Sequence, residues 1–312
     1  MSALVGTGAL ARLALRRDRI MLPVWLAVFV VMAASSAAAT IPLYPTLASR
    51  VQAADTLNQT QSLVALYGRI YDPTSVGALA IVKLGGLGAV FVAMVAIVIV
   101  VRHTRAEEET GRLELLGATV VGRLAPLTAA LLVVVGANLA LAVLTSFGLV
   151  FAGLPADGSF AFGFAWAGVG IAFAAIAGVT AQLTSGARTA TGLATAVLGF
   201  VYVLRAIGDT ADETGPRWLT WLSPIGWGQQ FRPYAGNRWW VLLITVAFAV
   251  LVAAAAYALA VRRDLGAGLL PDRPGPATAA PTLRSPLALA WRLHRGSLLS
   301  WAAGFTLLGL VL

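Results

Sequence analysis

The chain has no cysteine, one lysine and two histidines. Without cysteine there is no disulfide, no thiolate metal site and no cysteine nucleophile. His103 and His294 are too few for a histidine-rich metal centre, and no HExxH pair occurs, so no metal site is expected. The single lysine, Lys83, lies inside an apolar run, and neither GxxxxGKS nor GxxxxGKT is present. The chain therefore has no P-loop with which to hold nucleotide, and no cofactor of its own is expected. Charge is scarce too. Asp, Glu, Lys and Arg make up 11% of residues, whereas a soluble domain carries about 25%.

What is there instead is apolar: 59% of residues, gathered into runs near the length that crosses a bilayer. Six such runs cover 20–41, 76–101, 124–149, 160–182, 187–207 and 240–261, and a seventh begins near Ser297. The net charge of +9 could suggest nucleic acid, but the arginines flank the apolar runs and form no single polar face. Fifteen of them, including Arg12, Arg102, Arg123, Arg188 and Arg263, fall on one side of the six spans. Arg50, Arg69, Arg217, Arg232 and Arg238 fall on the other, with Arg205 at its edge. The positive-inside bias places the first side, and the N-terminus, in the cytoplasm. A cleavable signal peptide is the other reading of the first run, since SSAAAT follows it. Its length and the five spans after it favour a retained helix.

Sliding the sequence on itself by 276 positions aligns Leu13 with Leu289, Arg16 with Arg292, Arg19 with Arg295, Trp25 with Trp301 and Phe29 with Phe305. Either these are short matches in biased sequence, or the chain carries a parallel repeat about an axis along the membrane normal. The repeat predicts an all-α integral membrane protein. Residues 1–263 form a six-span half with an N-terminal interfacial helix. Residues 264–286 form a cytoplasmic linker containing GPATAAPTLRSP, and 287–312 are the truncated start of a second half. A complete pair of halves would take about 550 residues, twice the offset.

Three segments carry candidate sites. Residues 9–19 read as an amphipathic interfacial helix with Leu10, Leu13 and Ala14 on one face and Arg12, Arg16 and Arg19 on another, facing anionic headgroups. The loop 102–123, RHTRAEEETGRLELLGATVVGR, puts Glu107, Glu108 and Glu109 in the first turn of a helix, where the dipole favours acid. Leu113, Leu115 and Leu116 then offer an apolar edge, fit either for docking a soluble partner or for an ordinary solvated helix. Before the sixth span stands SPIGWGQQFRPYAGNRWW, whose tryptophans suit an interfacial aromatic belt. Ser223, Pro224, Trp227, Arg232 and Tyr234 could equally form an extracellular gate.

Within the spans, Lys83 and Arg205 lie near outer boundaries and can snorkel, and no Asp or Glu falls inside. Asn138 is the one strongly polar residue deep in a span. Gly85, Ala89 and Ala93, and Gly170, Ala174 and Gly178, recur at the spacing that permits close helix packing. The sequon Asn58-Gln59-Thr60 reads as coincidence.

EEETGRLELL followed by Arg123 resembles the cytoplasmic signature of ABC-2 type permeases, matched by Glu109, Gly111, Glu114, Leu116 and Arg123. Val120 stands where many relatives have proline. The SPIGW…RPYAG segment is similar to the membrane subunits of tetronasin-type polyketide-antibiotic exporters, and that likeness extends along essentially the whole chain. The resemblance implies that 107–123, with Arg112 and Leu115, form a coupling helix seated on separate ATPase subunits that work as a homodimer and carry the ATP and Mg. It also implies export of an amphiphilic small molecule across a bacterial plasma membrane. The alternative is an ion-driven secondary transporter with two six-span halves, which usually needs ionisable residues at mid-membrane.

Overall fold

The computed structural model describes residues 3–111, 121–212, 214–264, 266–270, 278, 283 and 285–311, and every regular element among them is helical. Six helical runs are long and apolar enough to cross a membrane. They are α2 (Met21–Leu43), the run Val76–Glu109, α8 (Ala125–Phe151), α9 (Ala156–Leu183), α10 (Ala187–Thr210) and α12 (Val241–Arg262). The second run is built from α5 (Val76–Lys83), a π-helical turn (Leu84–Gly88), α6 (Ala89–His103) and α7 (Arg105–Glu109). All six fall on the predicted runs. A segment without charge that crosses lipid must satisfy its own backbone, and the helix does so locally.

Shorter helices dress the ends. α1 (Thr7–Arg17) precedes the first span, and α3 (Leu47–Gln59) and α4 (Gln61–Tyr67) lie between the first and second. A 3₁₀ turn (Arg217–Leu222) and α11 (Pro224–Gln230) precede the sixth. Residues Met1–Leu270 form one compact unit. Pro271–Leu312 form another, in which α13 (Pro286–Val311) is one continuous helix with Trp301 stacked on Phe305. Arg292, His294 and Arg295 in its first half leave α13 outside the six span-length helices. The aligned N-terminal stretch differs, because α1 and α2 are separated at Asp18–Ile20.

α9 is the axis of the bundle, buried along nearly its whole length and packed against α8, α12 and α6. Glycine sets how close these helices come. A Cβ on Gly163 would overlap the Ala142 carbonyl and the Ser146 hydroxyl of α8, and one on Gly170 would overlap the Asn138 side chain. Gly178 lies at ordinary contact distance from Ala256, and Gly85 has open space around it. In the π turn the Leu84 carbonyl accepts the Ala89 N–H and, on its second lone pair, Trp166 Nε1 at 3.0 Å, which fixes α5 to α9.

Several side chains sit elsewhere than expected. Arg205 is fully buried and does not snorkel: its guanidinium donates to the Ala65 carbonyl at 2.6 Å, pairs with Asp209 at 3.3 Å and covers the Tyr202 ring. α10 runs past 207 and so brings Asp209, a buried acid, into a span. Asn138 bonds to the Val134 carbonyl of its own helix. On α1, Ala14 is buried and Leu13 exposed, because α1 lies against α8 on a narrower face than the apolar pattern suggests. Trp227 is buried, with Nε1 donating to the Trp221 carbonyl, so it stands inside the belt formed by Trp218, Trp239 and Trp240. Asn58 turns inward and bonds both backbone groups of Ile70.

Candidate functional site

The loop after the second span meets the bundle at the end where α2 begins and α12 ends. Each glutamate of the EEE run has its own internal partner there. Glu107 pairs with Arg17 of α1. Glu108, its side chain buried, accepts from Arg105 Nη1 at 2.7 Å and receives both Nη1 and Nη2 of Arg263, just past α12. Glu109 accepts the Ala187 N–H at 3.0 Å, at the first turn of α10, where the helix dipole favours an anion.

Arg105 extends the arrangement inward. It is almost fully buried, and its Nε and Nη2 donate to the Ala181 carbonyl at 3.0 and 2.7 Å, covering the C-terminus of α9. Arg263 Nε reaches Gln182 Oε1 at 2.6 Å, and the Leu269 and Leu270 N–H groups take the Gln182 and Leu183 carbonyls. The last carbonyls of a helix lack partners within it, and these donors supply them. Glu108 thus lies between the ends of the second, fourth and sixth spans.

The far side of the same loop is tied as well. Gly122 N–H donates to the Val5 carbonyl at 2.8 Å and Leu124 N–H to the Ala3 carbonyl at 3.0 Å, a backbone approach that a Cβ on Gly122 would block. Arg123 donates to the Arg263 carbonyl. The segment between Glu107 and Gly122 is therefore anchored at both ends to α1 or the residues just before it. Arg112, Glu114, Leu115 and Leu116 lie outside the described residues. Gly111 closes α7 with φ +72°, a conformation that glycine adopts without strain.

The interfacial arginines Arg12, Arg16 and Arg19 are exposed, and among the described residues it is Arg17 of α1 that engages the loop. Next to it, Asp18 is fully buried and held by His103 and by Arg102. Asp18, His103, Arg105, Gln182 and Arg263 were not singled out by the sequence. For Arg105 and Arg263 the signal was positive charge beside an apolar run, which topology alone explains; Asp18, His103 and Gln182 gave no signal of their own.

At the opposite end, the SPIGW segment forms a second polar cluster. Ser223 caps α11 through the Gly226 N–H, and Pro224 fills its first turn. Tyr234 packs where Gly77 and Gly158 leave room and bonds to Ser159 at 2.8 Å. Arg232 lies over the Tyr71 ring at 4.1 Å. Burial pushes the Tyr71 phenol up to about 12, and it also raises Tyr234 and lowers Arg232. The five gate candidates do not converge: Ser223 and Trp227 stabilise α11, while Arg232 lines a cavity against α5 and α9.

The family model described as "Multidrug efflux system permease Rv1217c, C-terminal domain" matches residues 8–260 and 283–312. The chain belongs to this family of efflux permeases. It is 46% identical, over all 312 residues, to the multidrug efflux system permease protein Rv1217c of Mycobacterium tuberculosis, and spans 56% of that protein's length. As a member of a permease family with six helices long and apolar enough to cross a membrane, it is a multi-pass membrane protein. The family match covers Arg17, Arg105, Glu107–Glu109 and the SPIGW segment, while Arg263 lies just beyond its first part.

Proposed function

We propose that the chain is the membrane-spanning part of an ABC-2 type exporter that moves hydrophobic or amphiphilic compounds, the polyketide-antibiotic class among them, out of a bacterial cell. Separate ATPase subunits, working as a homodimer and carrying ATP and Mg, supply the energy. The N-terminus, α1 and the Glu107–Gly122 loop lie on the cytoplasmic side of the plasma membrane, as the arginine bias requires. Residues 1–263 act as one six-span half, 264–286 as linker and 287–312 as the opening of a second half. The match of the family model over two segments, the second starting at Leu283, supports that division.

The observation that carries this reading is the Glu108 ion pair with Arg105 and Arg263. A push on the loop would reach α9 and α12 through Glu108, α10 through Glu109 and α1 through Arg17. Closure of two ATPases beneath the loops would then tilt these helices together and alternate access between the halves.

Asp209 favours a second reading, ion-coupled transport, because it is a buried acid inside a span. Its carboxylate is already engaged by Arg205 and by the Thr220 hydroxyl at 2.9 Å, which suits a structural role better. Cells expressing the full-length protein and loaded with a fluorescent amphiphile separate the two. Efflux should survive collapse of the proton gradient at constant ATP and stop on ATP depletion; the reverse pattern would establish the secondary transporter.

A further inference from the structure

Both α1 and α2 lean on α8, and between them lies an apolar groove of about 460 Å³. Leu15 of α1, Leu22 and Leu26 of α2, and Leu132 and Gly136 of α8 line it. The groove is open: Leu15 and Leu132 are exposed, and a Cβ on Gly136 would meet nothing within 4 Å. Leu22, Leu26 and Ala137 also line a smaller cavity of about 30 Å³, which reaches Phe29 and Asn138. The two form one track. From Met21 to Phe29 the rise along α2 is about 12 Å. That is most of one leaflet's share of a hydrocarbon core about 30 Å thick.

Arg19 lies at the mouth of the groove. Arg12 and Arg16 each follow a groove-lining residue of α1, Ala11 and Leu15, by one position. All three arginines are exposed, and none has a carboxylate partner among the described residues. Their neighbour Arg17 differs, because Glu107 takes its charge. Asp18 borders the groove as well, but its side chain has no exposed surface and is held by His103 and Arg102. It therefore does not face an incoming anion. Leu13 and Ile20 are exposed beside these arginines, a mixture that suits the headgroup boundary of a bilayer.

Free cations above an apolar track one leaflet deep call for a hydrocarbon chain with an anionic head. Water does not fill such walls, and the bilayer supplies the matching molecule at that depth. We propose that the groove binds one anionic phospholipid, with an acyl chain along Leu22, Leu26 and Gly136 and the phosphate held by Arg19 and Arg16. A guanidinium grips phosphate through paired N–H bonds. In phosphatidylcholine the same phosphate carries a choline cation, which the arginines repel. Each arginine near an anionic lipid is worth about fivefold in binding. The inference rests on the membrane spans alone and needs neither an ATPase nor a direction of transport.

The test uses the purified full-length protein in phosphatidylcholine nanodiscs, with a trace of phosphatidylglycerol carrying a diazirine in one acyl chain. A phosphatidylcholine probe with the same chain is run in parallel, and labelled residues are mapped by mass spectrometry. Leu243 and Leu251, exposed on α12, give the reference for ordinary bilayer contact. Labelling at 22–29 and 132–141, relative to α12, should be roughly tenfold to a hundredfold higher for phosphatidylglycerol. The double variant Arg16→Gln with Arg19→Gln should bring the two probes within roughly fivefold. Gly136→Trp fills the groove from a position with open space around it. It should remove the groove label while leaving that on α12, with a monodisperse elution profile. Equal ratios for the two probes, or groove labelling unchanged in Gly136→Trp, would overturn the site. Label on α12 with none in the groove would mean that protein covers it, and would overturn the site too. None of these outcomes bears on ATP-driven efflux, which is measured separately.

Discussion

Arg263, one residue beyond the sixth span, holds the carboxylate of Glu108 with two guanidinium nitrogens across 155 residues of sequence. Both side chains are more than nine-tenths buried, and Arg105 contacts the same carboxylate from within the second helical run. Removing one partner from such a group leaves an uncompensated charge, which costs about 3–5 kcal/mol. Glu108→Gln should therefore lower unfolding stability in detergent by that order. The double variant with Arg263→Gln should cost less than the sum of the two singles by about 1–3 kcal/mol. Additive losses would mean that the pair is not coupled.

The two kinds of glycine in the bundle should respond oppositely. Gly163→Ala forces a Cβ into the Ala142 carbonyl and should destabilise by about 1–3 kcal/mol, read as a loss of thermal stability. Gly199 has nothing within 4 Å, so Gly199→Ala should be neutral or gain up to about 1 kcal/mol of helix propensity.

Trp166 is fully buried and donates to the Leu84 carbonyl of the π turn. Trp166→Phe keeps most of the ring but removes that donor, leaving Leu84 with the Ala89 N–H. The expected loss is about 0.5–1.5 kcal/mol, with the largest rise in amide hydrogen exchange at 84–88. Unchanged exchange there would separate the π turn from Trp166.

Tyr71 gives a pH dependence with a definite sign. Its pKa rises from an ordinary 10 to about 12 on folding, because burial disfavours the phenolate. The unfolded chain then releases this proton first as pH increases. The stabilisation is fully present below pH 10 and is lost as pH climbs towards 12. Melting temperature should fall over that window, and the fall should be shallower in Tyr71→Phe. Identical slopes would contradict it.

The spans were legible because long apolar runs with little charge leave few alternatives to a membrane helix. Partnerships among the flanking charges were not. Arg102, Arg105 and Arg263 each satisfy the positive-inside bias, and nothing local tells a topology charge from one that reaches Asp18 or Glu108. Glycine spacing marked Gly170 correctly but missed Gly163, since spacing identifies a face and not the backbone it meets. The Arg205–Asp209 pair was within reach, at i,i+4 on one helix. Ending the span at 207 hid it. Arg232 was marked as part of a gate, but only folding brings it beside Tyr71 and Gln229 at a cavity.

Under the exporter reading, in which the loop seats on an ATPase, Glu114→Lys should abolish efflux of a fluorescent amphiphile while leaving membrane insertion and yield unchanged. Wild-type efflux rates in this variant would contradict a docking role for Glu114.

The most direct test places a photocrosslinking amino acid at Thr110, an exposed position at the start of that loop, in the full-length protein in its native membranes. Irradiation should trap a P-loop ATPase, identified by mass spectrometry, and the trapped species should disappear when Glu114→Lys is added. Recovery of the intact permease with no ATPase attached, alongside efflux that persists on ATP depletion, would contradict the exporter reading.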